Sequence, residues 1–281
     1  MSVAVAGPRA ALLALLLAGH FLADFLFQTR AGVEAKRAGT GYARHGAVVF
    51  FAQLLAALPL LSLPLLAALA AIALSHVLVD RLKAALERAG TAPLAAFFLD
   101  QGIHVAVVVA AWAVLVGRGG RAIGGGLGGA AGAAAGAGLS AGHGLSAASG
   151  LTARGMGAWV TASVAAAVLA FAATGGSAIV EGVLEGLGPE ATAGPAERRP
   201  RDSGYAGAGR LIGILERTLM LFLVFYGQWA AAVLLLTAKS IARFEDLKDR
   251  RFAEYYLVGT LTSLLVATAT GLALTKVLGA L

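Results

Sequence analysis

Imidazoles and carboxylates recur in this chain at one spacing. His20 stands four residues before Asp24, His76 four before Asp80, and Asp100 four before His104; no aspartate before Asp202 is left out of such a pair. Four residues is a little over one helical turn, so both members of each pair project from one helix face, about 6 Å apart along its axis. Gln28 follows Asp24 by another turn, Lys83 follows Asp80, Gln101 adjoins Asp100, and His45 stands by itself. Imidazole nitrogen and carboxylate oxygen together suit zinc, manganese or iron, with some carboxylates orienting histidines from behind. The same groups can relay protons or hold a transported ion. They can also serve structure alone, each histidine donating to its own aspartate while the pairs tie helices together. The chain has no cysteine, which leaves His, Asp and Glu for any metal.

A metal with an open position would lower the pKa of a bound water and polarise an ester or phosphoryl oxygen. Asp24, Asp80 and Asp100 are then the candidate general bases. The candidate ligands are His20, Asp24, His45, His76, Asp80, Asp100 and His104, and Gln28, Lys83 and Gln101 complete the polar set. Lys83, and Arg44 beside His45, could hold an anionic group such as a phospholipid head; the alternative is that they set topology and snorkel to the interface. The chain contains no glycine-rich phosphate loop, serine elbow or His-Glu-x-x-His motif.

The elements that must position these residues are apolar. The chain is 59% hydrophobic and 13% charged, with a mean hydropathy of +0.82, far from the balance of a water-soluble domain. Stretches long enough to cross a bilayer as helices lie near 10–28, 46–62, 64–82, 94–116, 156–174, 211–238 and 255–279. Their richness in Ala and Leu, without alternation, argues against a barrel wall. The expected fold is therefore an all-α, polytopic membrane protein of six to seven transmembrane helices. An N-terminal four-helix domain (1–117) carries the His/Asp cluster, a Gly/Ala-rich connector (118–154) holds Arg121 and an incidental His143, and a C-terminal helical domain (155–281) follows.

The net charge of +7 and pI near 10.1 do not point to nucleic acid, because the basic residues flank apolar segments and form no stripe. They set topology and meet lipid headgroups. The links at 29–44, with Arg30, Lys36, Arg37 and Arg44, and at 81–93, with Arg81, Lys83 and Arg88, are expected to be cytoplasmic, while the uncharged link at Pro59 and Pro64 faces outward. All four polar clusters then fall on the cytoplasmic side. Simple alternation puts the link at 239–254 outside although it is the richest in Lys and Arg, so either the rule fails there or the connector or the 205–238 stretch holds an extra crossing or re-entrant turn. In that half, helix 5 is expected to end at Thr174, Gly175 and Gly176, and a polar run spans Arg198 to Asp202; Glu216, six residues from Arg210 and next to Arg217, reads as part of an interfacial ion pair, and Lys239 and Arg243 as contacts for phosphate headgroups or for the carboxyl end of their helix.

The ordered set His20-x3-Asp24-x3-Gln28, His45, His76-x3-Asp80-x2-Lys83 and Asp100-Gln101-x2-His104 resembles the bacterial integral-membrane family known as domain of unknown function 3307, over roughly residues 10–117. Gly209 to Arg217, Ala238 to Phe244 and Glu254 to Thr260 resemble the extension of its longer members. That resemblance implies a multi-pass protein of the bacterial inner membrane and names no activity. A looser likeness, of residue types only, links the cluster to inner-membrane proteins described as metal-dependent hydrolases. The functional expectation is a metal-dependent hydrolase acting near the membrane interface on a lipid, anionic headgroup or phosphate-bearing substrate; the alternatives are ion or proton transport and a structural subunit.

Overall fold

The computed structural model describes residues 7–118, 144–187 and 208–280. Among them every regular element is helical: α1 (Pro8–Phe25), α2 (Arg30–Arg37), α3 (Tyr42–Ala57), α4 (Leu63–Arg88), α5 (Pro93–Arg118), α6 (Gly144–Ala170), α7 (Gly176–Glu185), α8 (Ala208–Phe225), α9 (Trp229–Ala242) and α10 (Arg250–Ala280). Five helical stretches are long and apolar enough to cross a membrane: Tyr42–Leu60, Leu63–Arg88, Pro93–Gly117, Gly155–Glu185 and Arg250–Gly279. Arg121, His143 and the run Arg198 to Asp202 lie outside the described residues.

The chain sorts into two compact units. The first holds α1 to α4, α5 from Ala96, and α6 as far as Ala167; the second runs from Val168 to Lys276 with Ala92–Ala95. In the first, Leu12 and Leu16 of α1, Leu65, Leu69 and Ile72 of α4, Val108 of α5 and Ala57 of α3 form one buried apolar cluster. Residue numbers rise from this cluster toward the His/Asp pairs in α1 and α4 and fall toward them in α3 and α5. The four helices therefore alternate in direction and bring their polar turns to one end. Between core and polar end lies a layer of small residues, Ala23, Val49, Ala52 and Ala73.

Two glycines set the closeness of approach at that end. A Cβ on Gly19 would come within 2.7 Å of the Gln53 Cα, and one on Gly46 within 2.6 Å of Val77 Cγ2. Each adjoins a site histidine, His20 or His45, so α3 packs tightly on α1 and on α4 where the imidazoles must meet. Helix ends follow local chemistry. Thr29 Oγ1 accepts from Gly32 N at the head of α2 and Ser62 Oγ from Leu65 N at the head of α4, and α4 ends before Gly90, whose φ of +90° is costly for any other residue.

In the second unit two expectations are corrected. The apolar run 211–238, expected as one helix, is two. Gln228 N bonds back to Leu223 O and Gly227 N to Val224 O, with Gly227 at φ +68°, which is a Schellman cap that closes α8. α9 then folds back along α8: Glu216 Oε2 accepts from Lys239 Nζ at 2.5 Å, and Met220, Val224 and Ala232 share a cluster with Leu236 and with Ala267 of α10. Nor does the helix from Gly155 end at Thr174–Gly176. It passes through a π-turn at Phe171–Gly175 and continues to Glu185.

That turn exposes backbone carbonyls, and a buried arginine occupies them. Arg217, 4% exposed, donates from Nε to Ala172 O at 3.0 Å, from Nη2 to Ala173 O at 3.1 Å, and from Nη2 to Ser177 Oγ. Gly176 leaves the room, since a Cβ there would stand 3.1 Å from Arg217 Cδ. Glu216 pairs with Lys239 across the hairpin, so the interfacial ion pair expected of Glu216 forms with Lys239 and not with Arg210 or Arg217.

Candidate metal centre

The polar end of the first unit gathers side chains from five helices. α1 supplies His20 and Asp24, α2 supplies Lys36, α3 supplies His45, α4 supplies His76, Asp80 and Lys83, and α5 supplies Asp100, Gln101 and His104. His20, His45, His76, Asp80, Asp100 and His104 are all buried, and the Asp24 side chain is 7% exposed.

The partners are not the ones that the four-residue spacing implies. His45 Nε2 lies 3.2 Å and His76 Nε2 3.1 Å from Asp24 Oδ1, and the two Nε2 atoms lie 3.1 Å from each other. Three helices thus contribute one atom each to a nearly equilateral triangle. His76 and its own Asp80 are 4.0 Å apart, and neither nitrogen of His20 has a hydrogen-bond partner. His104 Nε2 approaches its own Asp100 Oδ1 at 3.2 Å, yet neither atom has hydrogen-bond geometry to a partner. Side chains four apart on a helix project side by side rather than toward one another, so their heads meet across helices.

The triangle has no satisfactory internal protonation. If both imidazoles donate to Asp24, their Nε2–H groups are left 3.1 Å apart with no bond between them. If one donates to the other, a lone pair of the acceptor ring faces the carboxylate. A cation among the three satisfies every edge at once, and ligand atoms held at ~2.0–2.1 Å by a tetrahedral ion stand ~3.3 Å from one another. The orphaned atoms of His20, His104 and Asp100 point the same way, since a buried polar atom without a partner costs about 1–3 kcal/mol. Three sets of groups could hold a metal ion, each with ligand atoms within 4.8 Å of one another: His20, Asp24 and His76; His45, His76 and Asp80; and Asp80, Asp100 and His104.

Neighbours orient the carboxylates. Gln101 Nε2 donates to Asp24 Oδ2 at 2.9 Å and to Asp100 Oδ2 at 3.2 Å, so Asp24 presents Oδ1 to the imidazoles and is held from behind by Oδ2. Lys83 Nζ donates to Asp100 Oδ2 at 3.3 Å. Lys36 Nζ donates to Asp80 Oδ2 at 2.9 Å and to Gln28 Oε1 at 3.3 Å. Three carboxylates against two ammonium groups leave the cluster, with neutral imidazoles, one negative charge in excess, which favours one divalent ion over two.

Gln28 is not on the helical face of His20 and Asp24: α1 ends at Phe25, and Gln28 reaches the cluster only through Lys36. Arg44 points outward and is exposed. Sequence reasoning missed Lys36, taken as a topology residue; the amphipathic run Arg30–Arg37 following a Thr cap was the available signal. It also missed Gln53, fully buried beside Gly19 with both amide atoms unpartnered, which a search for polar residues inside apolar stretches would have found. His76 and His104 stack at 3.7 Å between ring centroids, with His20 5.5 and 5.3 Å from them and His45 5.0 Å from His76.

No curated protein and no solved structure matches the chain. Every residue of the cluster, from His20 to His104, falls within residues 12–120, which match the family described as Protein of unknown function (DUF3307).

Proposed function

We propose that the cluster is a divalent-metal site, with His45, His76 and Asp24 as ligands and an open fourth position, in a hydrolase that acts at the membrane interface. The Nε2–Nε2–Oδ1 triangle carries this reading, because it suits a small cation and no arrangement of its own protons. A three-residue set of two histidines and an aspartate, without thiolate, is a zinc set first and a manganese or iron set second. Such an ion supplies an activated water and polarises an ester or phosphoryl oxygen. Asp80 Oδ2, 3.8 Å from His45 Nε2 and 4.0 Å from His76 Nε2, stands just outside the triangle, where it can accept a proton from a water there; the hydrogen bond from Lys36 Nζ aims it. Lys36 and Lys83 border the site with positive charge, which selects an anionic substrate such as a phosphate-bearing lipid.

Elemental analysis of the purified protein tests the metal. The expected result is about one equivalent in the wild type and none in His76→Ala, with Asp80→Asn keeping its metal while losing hydrolysis of phosphate or acyl esters. A metal-free wild type under metal-replete conditions would sink the proposal, and bound metal without any turnover would remove its hydrolase half. The run of neighbouring imidazoles favours a second reading, ion or proton transport, for which flux into liposomes is the measurement.

The hairpin of α8 and α9 bears on topology. If it dips into the membrane and returns, the six crossings are α1, α3, α4, α5, α6 with α7, and α10. The link at 239–254 then joins the two N-terminal basic links on the cytoplasmic side of a bacterial inner membrane, as its Lys and Arg content requires. Since the chain has no cysteine, one introduced thiol reports its own side. Arg251→Cys should be labelled by an impermeant reagent only after the inner leaflet is opened; labelling in intact spheroplasts would refute the hairpin.

A further inference from the structure

The second unit holds a cavity of about 650 Å³ bounded by α7, α8, α9 and α10, within the ~300–1,000 Å³ range of small-ligand pockets. Its wall is divided by chemistry. Arg210, Arg217, Lys239 and Arg243 outnumber Glu181 and Glu216, and apolar surface comes from Leu184, Ile212 and Phe252. Most of these charges are committed: Arg217 to the π-turn, Lys239 to Glu216, and Arg243 to Asp246 at 3.3 Å. Arg210 is exposed and makes no ion pair or hydrogen bond among the described residues.

A second, independent feature lies in the same wall. The Tyr256 hydroxyl is buried without a hydrogen-bond partner, although buried tyrosine hydroxyls usually find one. Lys239 Nζ stands 5.4 Å from the centre of that ring, and Arg210, Lys239 and Tyr256 all line this cavity. A lone donor and an uncommitted guanidinium fork call for an acceptor-rich anion, and phosphate matches both. The apolar part of the wall has no use for a free ion but fits an acyl chain.

We infer that this cavity binds the phosphate group of an anionic amphiphile, with Arg210 and the Tyr256 hydroxyl as its direct contacts and Lys239 beside them. Phosphate could arrive on a phospholipid or free in solution, and the lipid is the occupant that the divided wall selects. On the hairpin topology proposed above, the cavity faces the leaflet side where anionic headgroups attract basic residues. The inference concerns a different unit from the metal cluster and does not depend on it.

Thermal unfolding of the full chain in neutral detergent tests it, with dioctanoyl phosphatidylglycerol, dioctanoyl phosphatidylcholine and inorganic phosphate as probes. Phosphatidylglycerol should raise the Tm to a plateau and phosphatidylcholine should not. Arg210→Gln should weaken the phosphatidylglycerol response about tenfold and Tyr256→Phe several-fold, while both keep wild-type helicity and metal content. Phosphate without effect assigns the site to the lipid; phosphate that stabilises and competes assigns the same site to the free ion. Equal responses to the two lipids, or both variants responding as wild type, would overturn the inference. Repeating the series with chelator separates the two sites, because the lipid response should persist without metal.

Discussion

Each unit buries a polar centre, and the two are built on opposite terms. Around Arg217, three donor contacts meet Ala172 O, Ala173 O and Ser177 Oγ, so the guanidinium repairs a π-turn and the protein completes its own hydrogen bonding. Around Asp24, two imidazole nitrogens crowd one carboxylate oxygen at 3.1–3.2 Å, and neither nitrogen of His20 has a hydrogen-bond partner among the described residues. A buried polar group whose partners all come from the same chain is explained by stability. One that the chain assembles and leaves unsatisfied among the described residues is what the proposed metal would complete.

Substitutions can break this contrast. The largest effect is expected at His76, where alanine removes metal altogether yet, in chelator, leaves the Tm unchanged or higher, because it relieves the close Nε2–Nε2 edge that no proton arrangement within the triangle satisfies. Arg217→Leu should behave in the reverse way, costing about 3 kcal/mol by orphaning buried acceptors and lowering the Tm with metal content intact; a neutral Arg217→Leu would show that the two centres do not differ in kind. Gln101→Leu is the gentlest probe. It frees Asp24 Oδ2 from its amide and should weaken metal binding by about 10–100-fold without abolishing it, the usual effect of losing a group that orients a ligand. An unchanged affinity, measured by competition with a chromophoric chelator, would mean that Asp24 does not bind the ion.

The pairing in space differs from the pairing in sequence for a reason that reaches beyond this site. A four-residue interval shows that two side chains share a face, and His20, Asp24, His76, Asp80, Asp100 and His104 do. It says nothing of whether their heads meet, which depends on how far the neighbouring helix stands off. Gly19 and Gly46 decide that by letting α1 approach Gln53 of α3, and α3 approach Val77 of α4, within Cβ-excluding distance. Lys36 was hidden for a related reason: a basic residue in a link reads as a surface charge until the short helix Arg30–Arg37 turns it inward to Asp80. The break at Gly227 was within reach, since a glycine inside an apolar run marks an αL cap as readily as a tolerated gap. The π-turn was not, because the glycines that favour a helix end also permit the close approach of Arg217, and only the presence of that guanidinium decides between them.

Composition and periodicity alone determined that the chain is helical, that several helices are long and apolar enough for a membrane, and that its polar residues share a face and an end, because hydropathy and the helical repeat are local properties. The triangle of His45, His76 and Asp24, the inward turn of Lys36, the α8–α9 hairpin and the clamp of Arg217 were settled only by tertiary structure. Each depends on the separation of helices distant in sequence, and that distance is fixed by what small residues allow to touch.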